Sequence, residues 1–430
     1  MRIAGGTVLS MRAGDGPAVR DLFIEGDRIA ERAGGESIDA SGCYVMPGLV
    51  QTHIHLVQTI FRGLAEELSL LAWLRDRIWP LEAAHDERSL RASARLGLFD
   101  LLTTGTTTIL DMGTTHGGDV IAEELVASGI RARFGQTMMD RGDGVPAGLR
   151  ETTGESLQRS ASLCARWNGA AGGRIGYAYA PRFALSCSPE LLEEVGGITE
   201  RLGLLIHTHS NENAGERALI ESATGRAPTQ YLADVGLVNE RSVIAHGVNL
   251  DAREIDILAE RGASVTHCPS SNLKLGSGIA DVRAWRDRGI TVGIGADGAA
   301  CNNRLDGFEE LRLAALLAAS RHGAGVLRAS EALAMGTRDG AKALRLDAEI
   351  GTLEVGKKAD VIVLDPERLA GPAGDPATRI VYGGGSRAVR DVIVDGRVLV
   401  RQGVPVTFDP AAVRAYAAEV LPDLIARAGI

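Results

Sequence analysis

Lysine is scarce in this chain: Lys274, Lys342, Lys357 and Lys358 are the only four in 430 residues. The formal charge is −9, and no Lys/Arg-rich stripe interrupts that balance, which argues against a nucleic-acid polymer and for a small-molecule substrate. Cysteine is scarce too. The five cysteines are scattered, odd in number and without C-x-x-C spacing, so packing cysteines in a reduced, cytoplasmic protein are expected. Long apolar runs are missing. The segment MRIAGGTVLSM has no apolar stretch behind Arg2, so no signal peptide is expected. The longest helical apolar segment, around Leu311 to Ala319, is far short of a membrane span. No repeat at solenoid spacing and no low-complexity tract is visible.

What is present suits a soluble globular protein. Hydrophobic residues make up 45% and charged residues 23%, and the length predicts one large domain with a smaller one. The middle of the chain alternates strand-like and helix-like stretches. The expected strands are Tyr44–Gln51, Thr106–Met112, Ala132–Met138, Arg174–Ala180, Gly203–Thr208, Ser242–His246, Ala263–His267 and Thr291–Ala296. Between them lie helical patterns such as Asp119–Ser128, Ser188–Leu202, Asp251–Arg261 and Phe308–Ser320. Eight such units predict an α/β fold, a (β/α)8 barrel, because parallel strands need crossover helices. The two ends read differently: LFIEGDRIAERAG near the start and VRDVIVDGRVLVRQG near the finish alternate around Gly-Asp turns, as antiparallel strands do. The expected organisation is therefore a barrel over 48–347 and a small β-sandwich built from 1–47 and 348–430. An amphipathic helix from Pro410 onward belongs to the second unit.

Six of the nine histidines fall at or near the ends of strand-like runs. His53-Ile54-His55 follows the run Pro47-Gly48-Leu49-Val50, and in extended chain residues two apart point the same way. A lone H-x-H is weak evidence for a metal. Strand five, however, ends in His207-Thr208-His209-Ser210-Asn211-Glu212, strand six in His246 and strand eight in Asp297. In a barrel these side chains converge on the C-terminal face, where barrel enzymes hold their active sites. Hydrogen-bonded core histidines explain any one of them, but not the set.

The segments PGLVQTHIH, HSNE, THCPSSNLKLGSGIAD, GADGAACNNRLD and IGTLEVGKKADVIVLD resemble the amidohydrolase superfamily, in particular its branch of aminopurine and triazine hydrolases. The likeness spans about residues 1 to 405. It implies a mononuclear metal centre in the barrel, with His53, His55, His209 and Asp297 as ligands and one divalent ion per chain, zinc or iron. His209 and Glu212 fit the family spacing of ligand and acid, whereas His207 and Ser210 do not, so His207 is read as a packed or backing group. The resemblance makes Glu212 the proton shuttle to the ring nitrogen, His246 the residue that hydrogen-bonds the attacking water, and Asp297 the acceptor of the water proton. Binuclear members carry a carbamylated lysine on strand four; none of the four lysines lies near it. The other zinc deaminase design, with H-x-E and P-C-x-x-C, has no match.

Substrate residues follow from the same likeness. Adenosine-derivative deaminases of this branch carry a Pro-x-Glu where Pro80-Leu81-Glu82 stands, which implies that Glu82 accepts from ribose hydroxyls, with Trp79 beside it. Pro181-Arg182-Phe183 is instead similar to guanine deaminases, where the Arg and Phe hold the purine. The expected reaction is hydrolytic deamination of a 5′-modified adenosine. A guanine- or pterin-type ring, a triazine, or a non-catalytic scaffold of the same fold are the alternatives. The expected partners are that small molecule and further copies of the chain, with neither nucleic acid nor membrane.

Overall fold

A computed structural model describes residues 1–430. Eight parallel strands close into a barrel: Leu49–His55, Thr106–Asp111, Arg131–Phe134, Ile175–Pro181, Leu205–Ser210, Ser242–His246, Ser264–His267 and Thr291–Ile294. Ile294 pairs with Gln51 and joins the last strand to the first. These strands are buried almost end to end, as parallel strands are when helices cover the outside and side chains fill the inside. The covering helices carry their own start and stop signals. Ala252–Arg261 begins where the Asp251 side chain accepts from Glu254 N–H, buries Ile255 and Leu258 on one face, and stops at Gly262, whose φ is 69°.

The expected first strand, Tyr44–Gln51, divides between two sheets. Tyr44–Pro47 pairs with Thr7–Val8 and with Val361–Leu364, whereas Leu49–His55 enters the barrel. The apolar run shows no break in composition. The division falls at Gly48, where a Cβ would lie 2.1 Å from Thr107 Cγ2. His53 and His55 are therefore inside the barrel strand rather than after it.

The chain ends pair into one nine-stranded sheet. Pairing there is mixed rather than wholly antiparallel: Ser37–Asp39 and Tyr44–Pro47 run parallel to Arg2–Val8. The sheet curls until Asp27 O accepts from Ala359 N–H at 2.9 Å and Lys357 O accepts from Ile29 N–H at 2.8 Å. Strand alternation then gives it two apolar faces. Val361, Val363 and Ile393 pack inside the curl on Ile3, Ile24 and Ile29, while Ile362, Leu364, Val392 and Val394 join the barrel core. Buried Arg131 ties the two units, donating to Asp360 at 2.7 and 2.9 Å and to Asp395.

The last helix, Pro410–Ala428, is grouped with the terminal sheet by sequence order, but its contacts are with the barrel's helical layer. Ala417, Val420 and Leu424 bury against a cluster that includes Phe61, Trp73 and Trp79, and Arg427 donates to Ala84 O at 2.9 Å. No helix is long and apolar enough to cross a membrane.

Candidate active site

Four strand ends meet at the C-terminal face of the barrel. His53 and His55 come from the first strand, His207 and His209 from the fifth, His246 from the sixth, and Asp297 follows the eighth. His53 Nε2 lies 3.2 Å and His55 Nε2 3.4 Å from the same oxygen, Asp297 Oδ1. His55 Nε2 and His209 Nε2 face each other at 3.2 Å. The donor atoms of His53, His209, His246 and Asp297 lie within 4.8 Å of one another. His246 thus stands in the ring of donors alongside the four expected ligands.

Two of these residues have backbones in the left-handed region, His246 at φ 76° and Asp297 at φ 61°, and so does Asn211 at φ 56°, next to Glu212. Non-glycine residues adopt such angles only where surrounding contacts enforce them, commonly at functional sites. Here the contacts are visible. The Asn211 side chain donates to Thr229 Oγ1 and Glu254 Oε1, both at 2.9 Å, which fixes the turn that carries Glu212. Asp297 pairs with Ile54 across the barrel seam.

The far nitrogens of two imidazoles set their tautomers. His209 Nδ1 donates to Arg182 O at 2.7 Å, which leaves Nε2 bare. His53 Nδ1 and His207 Nε2 are 2.7 Å apart. Read with Nδ1–H as donor, that contact makes His207 the brace behind His53 and turns His53 Nε2 inward. Burial first, and then neighbouring imidazoles, hold His55, His207 and His209 well below the usual histidine range. Burial lowers His53 as well, against the pull of Asp297. The rings are neutral at physiological pH.

The two buried carboxyls move in opposite directions. Burial, reinforced by the charge of Asp297, raises Glu212 well above the usual carboxylate range. Burial also acts to raise Asp297, but the imidazoles packed around it, His53 first, outweigh it and hold Asp297 well below that range. Between them stands His246, with Nε2 at 3.6 Å from Glu212 Oε2 and 3.8 Å from Asp297 Oδ2. One carboxyl pushed toward its acid form and one held toward its ionised form, across a shared imidazole, is the arrangement acid–base hydrolysis needs.

Over this centre lies a cavity walled by Gln58, Trp73, Arg182 and Phe183, with His55, His209, Glu212 and Asp297 at its base. Arg182 and Phe183 line the cavity; Glu82 does not, and stands behind the wall, bonded to two residues that do. Arg182 donates to both oxygens of Glu82, at 2.5 and 3.3 Å, and Gln58 Nε2 donates to Glu82 Oε1 at 2.9 Å. Trp79 does not line the cavity. It is 6% exposed, inside an apolar cluster, and the tryptophan that faces the cavity is Trp73. Gln58 carries a legible signal, an amide inside the apolar turn Leu56–Phe61. Trp73 carries none, because a helix of unknown facing hides which tryptophan points inward.

A model of the amidohydrolase family matches residues 44–399. The chain belongs to the amidohydrolase family. It is 40% identical to a 5-methylthioadenosine/S-adenosylhomocysteine deaminase of Halobacterium salinarum, over 100% of this chain and 99% of that one. It is 38% identical to a 5′-deoxyadenosine deaminase of Methanothermobacter thermautotrophicus, over 89% of each. Among solved structures, an adenosine deaminase from Xanthomonas campestris with bound zinc superposes with a TM-score of 0.93 at 30% identity, covering 99% of this chain and 98% of that one.

The residues of this amidohydrolase fit a divalent metal. His53 Nε2 is buried without a hydrogen-bond partner. His209 Nε2 faces His55 Nε2 with no proton of its own, so a cation is the partner that satisfies this donor set. Neutral imidazoles and one carboxylate suit a borderline divalent ion.

Proposed function

We propose that the protein hydrolyses the 6-amino group of an adenosine altered at its 5′ position, giving the inosine analogue and ammonia, with zinc as its metal. The observation that carries this reading is the opposed pair Glu212 and Asp297 flanking His246. His53, His55, His209 and Asp297 would hold the zinc, which would supply the Lewis-acid charge that lowers the pKa of water toward neutrality. Asp297, kept ionised, accepts the proton that water gives up. His246 orients the nucleophile by accepting its hydrogen bond at Nε2. Glu212, kept protonated, delivers its proton to the ring nitrogen beside the attacked carbon, so no negative charge is stranded on the ring. A C–O bond forms and the C–N bond breaks: the amino group takes the one proton passed to Asp297 and leaves as ammonia, and the hydroxyl proton released as the C=O forms returns Glu212 to its acid form.

The substrate rests on the deaminases of nucleosides to which the chain is similar and on Glu82. Its carboxylate accepts three hydrogen bonds from Arg182 and Gln58, which leaves about one of its four lone-pair sites for a ribose hydroxyl. A second reading has one observation in its favour: Arg182 and Phe183 in the cavity wall suit a guanine-type ring. Ammonia release from 5′-methylthioadenosine, 5′-deoxyadenosine, S-adenosylhomocysteine, adenosine and guanine separates the two. The proposal expects at least one 5′-modified adenosine to have the highest kcat/KM. Guanine ahead of every nucleoside would overturn it and make Arg182 the leading specificity residue.

A further inference from the structure

Behind His246 lies a segment for which the reaction as described has no use. The seventh strand ends at His267 and the chain turns into the short helix Pro269–Lys274. Two successive side chains of this turn, Ser271 and Asn272, are buried, at 0% and 1% exposure, and both reach the reaction centre. Ser271 Oγ–H donates to Asp297 Oδ2 at 2.7 Å. Asn272 Oδ1 lies 2.9 Å from His246 Nδ1. The turn is itself braced. Asn272 N–H donates to Cys268 O at 3.0 Å, and Asn272 O accepts from Ser277 N–H at 2.8 Å. Glu310, on the helix Gly307–His322, accepts from Ser270 N–H at 3.0 Å and from the Asn302 amide at 2.9 Å.

A carboxamide oxygen has no hydrogen to give, so the contact requires the proton to sit on His246 Nδ1. A neutral imidazole protonated there has a bare Nε2. That atom is buried without a hydrogen-bond partner and faces the space between Glu212 and Asp297. The Asn272 amide nitrogen is also buried and unpartnered. Rotating the amide by half a turn would not cure this. It would leave the oxygen unpartnered instead and would force the proton onto His246 Nε2, abolishing the acceptor that the nucleophile meets.

We propose that Asn272 is a positioning residue for the hydrolysis, fixing His246 in the Nδ1–H tautomer so that its Nε2 is presented to the nucleophile as an acceptor. Asn272 does not touch the reacting atoms; it acts through the ring. Ser271, its neighbour, performs the parallel task for Asp297, occupying Oδ2 and leaving Oδ1 toward the imidazoles. One dipeptide thereby aligns two of the groups that handle the nucleophile's proton.

The kinetic part of the test rests on the deaminase reading; the spectroscopic part does not. Enzyme with ¹⁵N-labelled histidine, the His246 signals assigned by their loss in His246→Asn, reports which ring nitrogen carries hydrogen. The expected result is a protonated Nδ1 and a bare Nε2 in the wild type; hydrogen on Nε2 alone overturns the inference whatever the substrate. For turnover, outer-shell partners of this kind are worth about 10–100-fold. Asn272→Ala should lower kcat by that factor with KM held within about twofold and metal content unchanged. Asn272→Asp keeps an acceptor and loses the donor, so it should recover most of the lost kcat. Asn272→Asp no better than Asn272→Ala, or a loss carried by KM alone, contradicts the inference. If Asn272→Ala does not fold, Asn272→Asp decides alone: kcat within tenfold of wild type supports, and a loss beyond 100-fold overturns. Wild-type turnover on none of the nucleosides counts against the deaminase reading, and the tautomer measurement then decides the role of Asn272 by itself.

Discussion

The base and the wall of the cavity are built by different parts of the chain, and they follow different logic. The base consists of side chains at strand ends. Strand spacing and barrel closure dictate their direction, and each is held by its own hydrogen bond, as His209 is by Arg182 O and His246 by Asn272. The wall is made by helices and turns. Trp73 lies on the helical stretch Leu70–Ala83, and Arg182 follows the fourth strand. Nothing in the strand pattern sets their directions; Arg182 is held by Glu82, which Gln58 holds in turn. Changes at the base should therefore abolish the reaction with little change in substrate binding, and changes in the wall should alter binding and stability first.

The largest expected effect breaks the base. Glu212→Gln removes the deliverable proton and should cut kcat about 10²–10⁴-fold with the metal retained. Activity near wild type in that variant would take Glu212 out of the mechanism. Behind the wall, Glu82→Ala leaves the Arg182 charge buried and unpaired, which typically costs about 3–5 kcal/mol. Denaturant unfolding should show that loss, together with a raised KM for nucleosides, while kcat changes less than in Glu212→Gln. The double variant Glu82→Ala/Arg182→Ala should recover part of the stability. Equal stability of wild type and Glu82→Ala would mean that the pair makes no net contribution.

The same comparison predicts what was legible in the sequence. His53, His55, His209, Glu212, His246 and Asp297 stood out because strand ends of a barrel share one destination, and their types are chemically conspicuous. The pairing of Glu82 with Arg182 was not legible, since 100 residues separate them and either reads equally well as a substrate contact. The division of Tyr44–Gln51 between two sheets was hidden because apolar runs in both sheets look alike. Asn272 stood in a recognisable motif, but its role depends on which atom of the amide faces His246, and no spacing encodes that. The curl of the terminal sheet was half legible: alternation marked its strands, while parallel pairing of Arg2–Val8 with Tyr44–Pro47 depends on closure in three dimensions.

A smaller effect concerns acids that brace the site from outside it. Burial raises Asp111, Glu216 and Glu310 to about 7. A carboxyl raised in the folded state favours the protonated form there. Its stabilisation is complete below the unfolded value, 4.5 for Glu310, and is lost as pH rises through about 7. Unfolding free energy should fall over that window, by on the order of 3–4 kcal/mol per group. Glu310→Gln should flatten the slope; an unchanged slope would show that Glu310 titrates normally.

The central claim is that a single divalent ion, held at the base, makes this chain a hydrolytic deaminase. The direct measurement is turnover of 5′-methylthioadenosine by metal-stripped protein as zinc is restored in known amounts. The account predicts no turnover without metal, a linear rise that levels at one ion per chain, and one ammonia released per inosine analogue formed. Turnover in the stripped protein, or a rise that levels only at two ions per chain, would contradict it.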